Sequence, residues 1–371
     1  MKILGFISKD KVFLISFMVA LATMFFVAPD KQYLSYINWS VLVILFSLMT
    51  SVSLMSQANL FAEIAIKFSS WFYSIRWISL VIVDITFILA MLVTNDAILL
   101  TLVPFTIVIT KQLGEEEHAV TIIIFQTLAA NLGSAFTPMG NPQNIYLFGY
   151  YGLSFQTFVA GMLPIMILSF LILSFGCFFL IPNRFVHPIM VKPELDKKRL
   201  MIALLIFITT LLLILRIIPG IIALSISILL ILVFYPKAVT KIDYGLLLTF
   251  VMFFIISGNL SRMPLLVSLA DKFMTSGWYV YSTGIIFSQF MSNVPAAILL
   301  STFTKPEWWE YLALGVDIGA AGTLVASLAN LISYKFVLKS FPEKAGLFIK
   351  KSVFWGMILM ILLTVMVILT I

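Results

Sequence analysis

The sequence predicts an all-α polytopic membrane protein, and three observations carry this prediction. Apolar residues occupy 62% of the 371 positions and charged residues only 11%, whereas soluble domains average about 45–50% and about 25%. The mean hydropathy of the whole chain is +1.13. Apolar runs close to the ~20 residues that a helix needs to cross a bilayer recur from end to end. These features exclude a soluble globular protein.

Apolar runs bounded by charges, Pro or Gly predict the transmembrane helices. The two longest runs exceed one crossing and contain internal Gly and Pro residues, so each is predicted to be an interrupted helix. In chain order the runs lie at 12–29, 38–56, 119–149, 157–182, 200–217, 219–235, 243–259, 307–340 and 351–370.

Two further apolar regions, 72–111 and 277–304, are predicted to be re-entrant helical hairpins. In the second region Ser292-Asn293 lies in the middle, and the limb from Ala296 to Thr304 has nine residues. At 1.5 Å per residue this limb is about 14 Å long. It is too short for a hydrocarbon core of ~30 Å. We therefore expect this region to enter and leave the membrane on one side.

The distribution of positive charge predicts the orientation. With both hairpins re-entrant and the N-terminus in the cytoplasm, all but five of the 23 Lys and Arg residues fall on the cytoplasmic side, as the positive-inside rule requires. We therefore expect a multi-pass protein of the cytoplasmic (inner) membrane, surrounded by the lipid bilayer, with its C-terminus outside. The net charge of +7 reflects this bias, and no nucleic-acid partner is expected. The cytoplasmic connections are then 57–76, 111–118, 183–199, 236–242 and 335–351.

An internal repeat relates the two halves of the chain. Residues 93–101 return as 291–301, and residues 131–144 align with 317–330. The second alignment places Asn131 opposite Asp317 and preserves four residue types. The preserved pairs are Gly133/Gly319, Ala135/Ala321, Thr137/Thr323 and Asn144/Asn330.

The repeat predicts how the chain is divided. The first repeat covers 1–182, with hairpin 72–111 and broken helix 119–149. A cytoplasmic loop and connecting helix follow at 183–217. The second repeat covers 218–371, with hairpin 277–304 and broken helix 307–340, and is predicted to be inverted relative to the first. Inverted repeats with interrupted helices are typical of secondary transporters, whose site lies near the membrane midplane.

The motifs of the repeat also resemble a known group of transporters. Thr94-Asn95-Asp96, Ser292-Asn293-Val294-Pro295 and the stretch from Gly133 to Asn144 are similar to the ion transporter superfamily. This superfamily includes divalent anion/sodium symporters, citrate permeases, arsenite permeases and one class of sodium/proton antiporter. The resemblance covers roughly 38–340. It implies that hairpin tips and helix breaks form the substrate and Na⁺ sites, that one domain moves as an elevator, and that a scaffold domain forms a homodimer.

The tips and breaks supply the candidate site residues. Helix N-termini attract anions, so Asn95 and Asn293 are expected to cap helices whose free N–H groups face the substrate. Broken helices free carbonyl oxygens, which hard cations prefer, so Na⁺ is expected near Asn95 and Gly140 and near Asn293 and Ala326. The substrate candidates are Thr94, Asn95, Asn141, Ser292, Asn293 and Thr323. The ion-coupling candidates are Asp96, Thr137, Gly140, Asn144, Asp317 and Ser327.

Purely structural interpretations stay open for several of these residues. Asn95 and Asn293 could only cap a buried turn, and the Gly140–Asn144 stretch could be a plain kink. Thr323 and Ser327 could bond back to their own helix. Asp317 could pair with a nearby polar group. A carboxylate at membrane depth by default marks an ion or proton path, so Asp96 is the leading candidate for the coupling group.

The pattern favours a secondary active transporter that moves a small anion or oxyanion, carboxylate or inorganic, with Na⁺ or H⁺ as the coupling ion and no cofactor. The alternatives are a Na⁺/H⁺ antiporter or arsenite efflux permease that uses Asp96, and a channel. An enzyme is not expected, because an intramembrane hydrolase would need a Ser/His pair or paired aspartates in motifs that this sequence lacks. His118 and His187 are expected in loops, away from carboxylates, so no metal site is predicted there.

Overall fold

A computed structural model describes residues 11–187 and 193–370. Within these residues the chain is helical and contains no β-strand, which confirms the all-α fold class. Three of the positive residues predicted to be cytoplasmic lie outside the described residues: Lys2, Lys9 and Lys192. The described helices are α1 (Lys11–Met24), α2 (Tyr33–Tyr36), α3 (Trp39–Gln57), α4 (Leu60–Ser69), α5 (Ile75–Ala90), α6 (Asn95–Gln112), α7 (Glu116–Ser134), α8 (Pro142–Tyr150), α9 (Phe155–Leu180), α10 (Lys197–Ile214), α11 (Gly220–Phe234), α12 (Tyr244–Leu260), α13 (Pro264–Phe273), α14 (Gly277–Met291), α15 (Asn293–Ser301), α16 (Trp309–Gly319), α17 (Leu328–Ser340) and α18 (Ala345–Thr370).

Some of the predicted spans and the short hairpin limb are recognisable from helix length. By length and apolar composition, three of the described helices can cross a membrane unaided: α3, α9 and the segment Pro342–Thr370 that contains α18. The pair α12 and α13 also has the length of a span but is bent by 88° at its break. Helix α15 has nine residues, about 14 Å, so the second hairpin has the short limb that the sequence predicts. Both predicted interruptions are present, between α7 and α8 and between α16 and α17.

The order of helices recurs along the chain. In the first half, two apolar helices (α1 and α3) precede a ten-residue helix (α4), a hairpin (α5 and α6), an interrupted helix (α7 and α8) and a long helix (α9). In the second half, the corresponding elements are α11 and α12, then α13, the hairpin of α14 and α15, the interrupted helix of α16 and α17, and α18. Helix α10 lies between the two series, within the predicted connecting segment. The opposite orientation of the two halves in the membrane stays a prediction.

Helix packing follows the same repeat. Helix α5 packs along α7 as α14 packs along α16, and α1 packs along α12 as α11 packs along α3. Glycine at two aligned positions permits the first of these packings. A Cβ at Gly133 would lie 2.3 Å from the carbonyl oxygen of Phe87, and a Cβ at Gly319 would lie 3.1 Å from the Cα of Ile285. Each interrupted helix can therefore lie directly on the first limb of its own hairpin.

Two ten-residue helices, besides the four-residue α2, occupy segments predicted to be connections between membrane spans. Helix α4 lies within the predicted cytoplasmic connection 57–76, and α13 lies between α12 and the second hairpin. Each has ten residues, which is below the run length of a membrane span, so the search for apolar runs missed both. Helix α13 has no buried residue. Its apolar face is therefore available to the membrane surface.

The helices fall into two packing groups. Helices α1, α3, α10, α11 and α12 pack mainly on one another. The hairpins, the interrupted helices, α9 and α18 form the other group. Direct contacts between the groups include α3 with α8 and α12 with α15, where the Ser257 hydroxyl donates to the carbonyl oxygen of Ile298 at 3.0 Å.

Candidate functional site

Four buried polar residues form a hydrogen-bond network that links the first hairpin tip to both interrupted helices. Nδ2 of Asn95, at the first tip, donates to Oδ1 of Asn131 in the last turns of α7 (3.1 Å). Nδ2 of Asn131 donates to Oδ1 of Asn330 in α17 (2.8 Å). The Ser327 hydroxyl also donates to Oδ1 of Asn131 (2.9 Å). We call Asn95, Asn131, Ser327 and Asn330 the neutral network.

The second hairpin tip joins this region through the second break, residues 320–327. The backbone N–H of Asn293 donates to the carbonyl oxygen of Ala326 (3.0 Å). Nδ2 of Asn330 donates to the carbonyl oxygens of Ala320 (3.0 Å) and Thr323 (2.8 Å). The carbonyls that the break frees therefore already accept hydrogen bonds from amides. The expected Na⁺ position near Asn293 and Ala326 stays a prediction.

The aligned residues Thr137 and Thr323 each tie a helix break to the first limb of its own hairpin. The Thr137 hydroxyl donates to the carbonyl oxygen of Met91, directly after α5. The Thr323 hydroxyl donates to the carbonyl oxygen of Gln289 (3.1 Å), and its N–H donates to Oε1 of the same glutamine (3.0 Å). Both threonines are thus placed at a break but hold the hairpin in position.

The first break, between α7 and α8, is closed by its own side chains. Nδ2 of Asn141 donates to the Ser134 hydroxyl (3.2 Å), and Nδ2 of Asn144 donates to the carbonyl oxygens of Ser134 and Ala135 (both 3.3 Å). Gly140 lies so close to the end of α5 that a Cβ would meet the carbonyl oxygen of Ala90 at 2.7 Å. Glycine is required there for close backbone approach.

A second polar group lies where α16 ends beside α8. Asp317 is 1% exposed, and Nε2 of Gln143 donates to its Oδ1 at 2.7 Å. The side chain of Asn144 lies near the same carboxylate. Three buried oxygens here accept no hydrogen bond within the described residues: Asp317 Oδ2, Gln143 Oε1 and Asn144 Oδ1. We call Gln143, Asn144 and Asp317 the charged cluster.

The structure corrects the predicted capping of the hairpin tips. Helices α6 and α15 begin at Asn95 and Asn293, so these residues are first helical residues and not caps. Each Oδ1 instead accepts the N–H of the next residue, that of Asp96 at 2.9 Å and that of Val294 at 3.0 Å. An N-terminal asparagine can reach its neighbour in this way because its side chain is short.

The expectation of free backbone N–H groups is wrong at the second tip. The N–H groups of Asn293 and Val294 are bonded within the tip region, and Pro295 has none. A side-chain donor is left instead: Nδ2 of Asn293 is buried and has no hydrogen-bond partner within the described residues. The unpaired donor at this tip is therefore an amide side chain.

Backbone strain distinguishes the two tips. Ser292 adopts φ 74° and ψ 156°, a region in which residues other than glycine are rare. Its aligned counterpart Thr94 has φ −61° and ψ 138°, which is ordinary extended backbone. Such strain costs of order 1–3 kcal/mol and is found at ligand clamps and switch regions. The second tip thus has a backbone feature typical of a functional site.

Asp96 lies apart from the neutral network. Its Oδ1 is buried and accepts no hydrogen bond within the described residues. The Asp243 carboxylate, at the start of α12, is close enough to repel its charge. The apolar residues Val93, three positions before Asp96, and Ile242, next to Asp243, belong to one buried apolar cluster. The first tip therefore directs Asn95 and Asp96 into different surroundings.

His118 lies beside carboxylates, which corrects the sequence-based expectation. It belongs to α7, and its Nε2 is 3.5 Å from Glu115 Oε2 and 3.2 Å from Glu117 Oε1. Arg184 pairs with Glu117 at 2.6 Å. The carboxylates of Glu115 and Glu117 are thus already paired with the guanidinium of Arg184. This ion pairing stabilises the packing of the 183–187 segment on the start of α7.

Sequence analysis missed Asn131, Asn330 and Gln143 as site residues. The alignment of the repeats contained a signal for the first two, because it pairs Asn131 with Asp317 and Asn330 with Asn144. In the structure Asn131 bonds Asn330, and Asp317 lies beside Asn144. The neutral network and the charged cluster are therefore equivalent places in the two repeats.

Comparison with known proteins agrees with this architecture. A family described as citrate transporter matches residues 2–305. The chain is 31% identical over 303 residues to "Uncharacterized transporter MJ0456" of Methanocaldococcus jannaschii, covering 81% of each chain. It is 32% identical over 337 residues to the inner membrane protein YbiR of Escherichia coli, covering 88% of this chain and 87% of YbiR. It is also 33% identical over 135 residues to the putative transporter arsB of Dictyostelium discoideum, covering 36% of this chain and 23% of the relative.

Proposed function

The chain belongs to the citrate transporter family, and we propose that it is a secondary active transporter of a small anion or oxyanion, coupled to Na⁺ or H⁺. The observation that carries this proposal is the meeting of both hairpin tips with the second helix break, through Asn95, Asn131, Ser327 and Asn330 at one tip and Asn293 at the other. Buried polar groups at membrane depth are expensive and are typical of substrate and ion paths. The proposed transport takes place across the cytoplasmic membrane.

The second tip supports an anionic substrate. Nδ2 of Asn293 is a buried donor without a partner within the described residues. Leaving such a group unpaired costs about 1–3 kcal/mol. A carboxylate or oxyanion oxygen would accept this hydrogen bond. Ser292, next to this donor, has a strained backbone, and such strain is found at ligand clamps.

The two packing groups support an elevator mechanism. The hairpins and interrupted helices hold the candidate site residues and pack mainly on one another, so they can move together as one body. Helices α3 and α12 belong to the other group and contact the site-bearing helices α8 and α15. We propose that α1, α3, α10, α11 and α12 form the scaffold, and that the scaffold mediates homodimer formation.

A second candidate function is cation/proton antiport or arsenite efflux through Asp96. The observation that favours it is the buried Oδ1 of Asp96, which accepts no hydrogen bond within the described residues and lies in the field of Asp243. Such a carboxylate can exchange a proton for a cation. Stabilisation of the purified protein by citrate or phosphate favours the first candidate, whereas stabilisation by arsenite alone favours this one.

The test is thermal unfolding of the purified protein with citrate, arsenite or phosphate, each with and without Na⁺ at constant ionic strength. A bound ligand raises the melting temperature by mass action, so we expect citrate or phosphate to stabilise the protein. Asn293→Ala should reduce this shift, and Ser268→Ala on the exposed side of α13 is the matched control. If no anion stabilises the wild-type protein under any condition, the anion-transporter proposal is wrong.

A further inference from the structure

We propose that the charged cluster of Gln143, Asn144 and Asp317 binds Na⁺ as the coupling cation. This inference rests on the proposed function, because it assigns the ion that drives transport. The cluster joins the end of α16 in the second repeat to the start of α8 in the first repeat. A cation bound here would hold the two repeats together at their interface.

The charged cluster has more hydrogen-bond acceptors than donors. The Asp317 carboxylate accepts a hydrogen bond from Gln143 Nε2 at 2.7 Å, and the side chain of Asn144 lies beside it. Asp317 Oδ2, Gln143 Oε1 and Asn144 Oδ1 are all buried and accept no hydrogen bond within the described residues. Each unsatisfied oxygen is costly. Oxygen atoms are the ligands that hard cations prefer, so a cation beside Asp317 would satisfy the buried oxygens that face it.

The charge of the Asp317 carboxylate has no opposite charge beside it within the described residues. Asp317 is 1% exposed and forms no ion pair within the described residues. Of the polar groups near it, the two amides of Gln143 and Asn144 are those that act on the carboxylate. An isolated buried carboxylate is strongly disfavoured unless a counter-charge or a proton accompanies it. The site therefore needs a positive charge that no described side chain provides.

Other titratable groups of the surrounding helices do not compensate Asp317. Helix α16 packs against α7, α8, α9, α14, α15 and α18. The titratable groups on these helices do not act on the Asp317 carboxylate. The groups that do not act on it are Glu116, Glu117 and His118 on α7, Tyr146 and Tyr150 on α8, Cys177 on α9, Tyr279 and Tyr281 on α14, Lys350 and Lys351 on α18, and Glu310 and Tyr311 on α16 itself.

The cluster is connected to the substrate region through the end of α16. The carbonyl oxygen of Ala320, one turn after Asp317, accepts a hydrogen bond from Asn330 of the neutral network (3.0 Å). A shift of α16 on cation binding would therefore move the partners of the first hairpin tip. This gives a physical path by which the cation sets the conformation of the anion site.

The test measures cation-dependent stability, which needs no transport activity. Purified wild-type protein, Asp317→Asn and Asp84→Asn are unfolded thermally in two series: increasing NaCl balanced by choline chloride at constant pH, and decreasing pH without Na⁺. Asp84 is a suitable control because it is a half-buried carboxylate paired with Ser174 at 2.7 Å. The amide in Asp317→Asn reproduces the residue at the equivalent position of the neutral network, so this variant should fold.

We expect wild type and Asp84→Asn to gain stability in the NaCl series, and Asp317→Asn to lose that dependence, with at least a tenfold fall in apparent Na⁺ affinity. If Asp317→Asn keeps the wild-type response to Na⁺, or if the wild type responds to pH alone or in neither series, the sodium assignment is wrong. Failure of the proposed function is read separately, from the absence of any anion-dependent stabilisation of the wild type.

Discussion

The neutral network and the charged cluster occupy equivalent places in the two repeats but differ in how completely their polar groups are paired. In the neutral network Oδ1 of Asn131 accepts two hydrogen bonds and its Nδ2 donates to Asn330. In the charged cluster the aligned residue is Asp317, and three oxygens lack donors. The change from Asn131 to Asp317 thus accompanies a change from saturated to unsaturated oxygens. The paired amides of the neutral network stabilise the fold around the hairpin tips, and the unpaired oxygens of the charged cluster are available to a cation.

Breaking the neutral network should have the largest effect on stability. Asn131→Leu leaves Asn95 Nδ2, the Ser327 hydroxyl and Asn330 Oδ1 without this partner, at about 1–3 kcal/mol for each group. We expect a marked fall in melting temperature and in the yield of monodisperse protein. Asp317→Asn, at the equivalent position, should change the melting temperature little without added cation. Equal destabilisation by the two variants would contradict the division of roles.

Removing the unpaired donor at the second tip should affect binding more than folding. Asn293→Ala deletes one hydrogen bond to a charged ligand, worth about 1.5–3 kcal/mol, which is roughly a 10- to 150-fold loss of anion affinity. Asn95→Ala should in addition lower stability, because Asn95 bonds Asn131. Anion titrations followed by thermal unfolding measure both quantities. Unchanged anion affinity in Asn293→Ala would show that its amide does not contact the substrate.

Glycine substitutions test how closely each interrupted helix lies on its hairpin. The added Cβ of Gly133→Ala would lie 2.3 Å from a backbone oxygen, whereas that of Gly319→Ala has its closest neighbour, the Ser288 Cβ, at 3.0 Å. Overpacking typically costs about 1–3 kcal/mol, so we expect the first variant to melt well below the second. Gly346→Ala, with nothing within 4 Å, is the control. The reverse order of melting temperatures would place the tighter packing in the second repeat.

Relief of the strained tip should have the smallest effect. Ser292→Gly removes most of a strain of order 1–3 kcal/mol, partly offset by the greater chain entropy of glycine in the unfolded state. We expect a small rise in melting temperature. Thr94→Gly, at the ordinary backbone of the first tip, should instead lower it by about 0.5–1 kcal/mol. Two changes of the same sign would indicate that the tips do not differ in strain.

The fold could be predicted from the sequence because apolar run length and helix breakers act locally. The nine-residue limb and the breaks at Pro138, Pro142 and Gly322 are readable in this way. Helices α4 and α13 were missed because ten residues leave only a weak local signal. At the site, Asn95 and Asn293 were found, but their hydrogen-bond partners were not. Partnership between Asn131 and Asn330 depends on contacts between repeats that are 199 residues apart in sequence, which no local pattern reports.

The central claim is that the second repeat holds the coupling cation, and transport into proteoliposomes tests it most directly. The probe is the anion that most stabilises the purified protein, measured both by gradient-driven uptake under an imposed Na⁺ or pH gradient and by exchange without a gradient. We predict that Asp317→Asn keeps exchange but loses gradient-driven uptake, while Asp96→Asn keeps both. Gradient-driven uptake that survives in Asp317→Asn and is lost in Asp96→Asn would contradict the account and return the coupling role to the first hairpin tip.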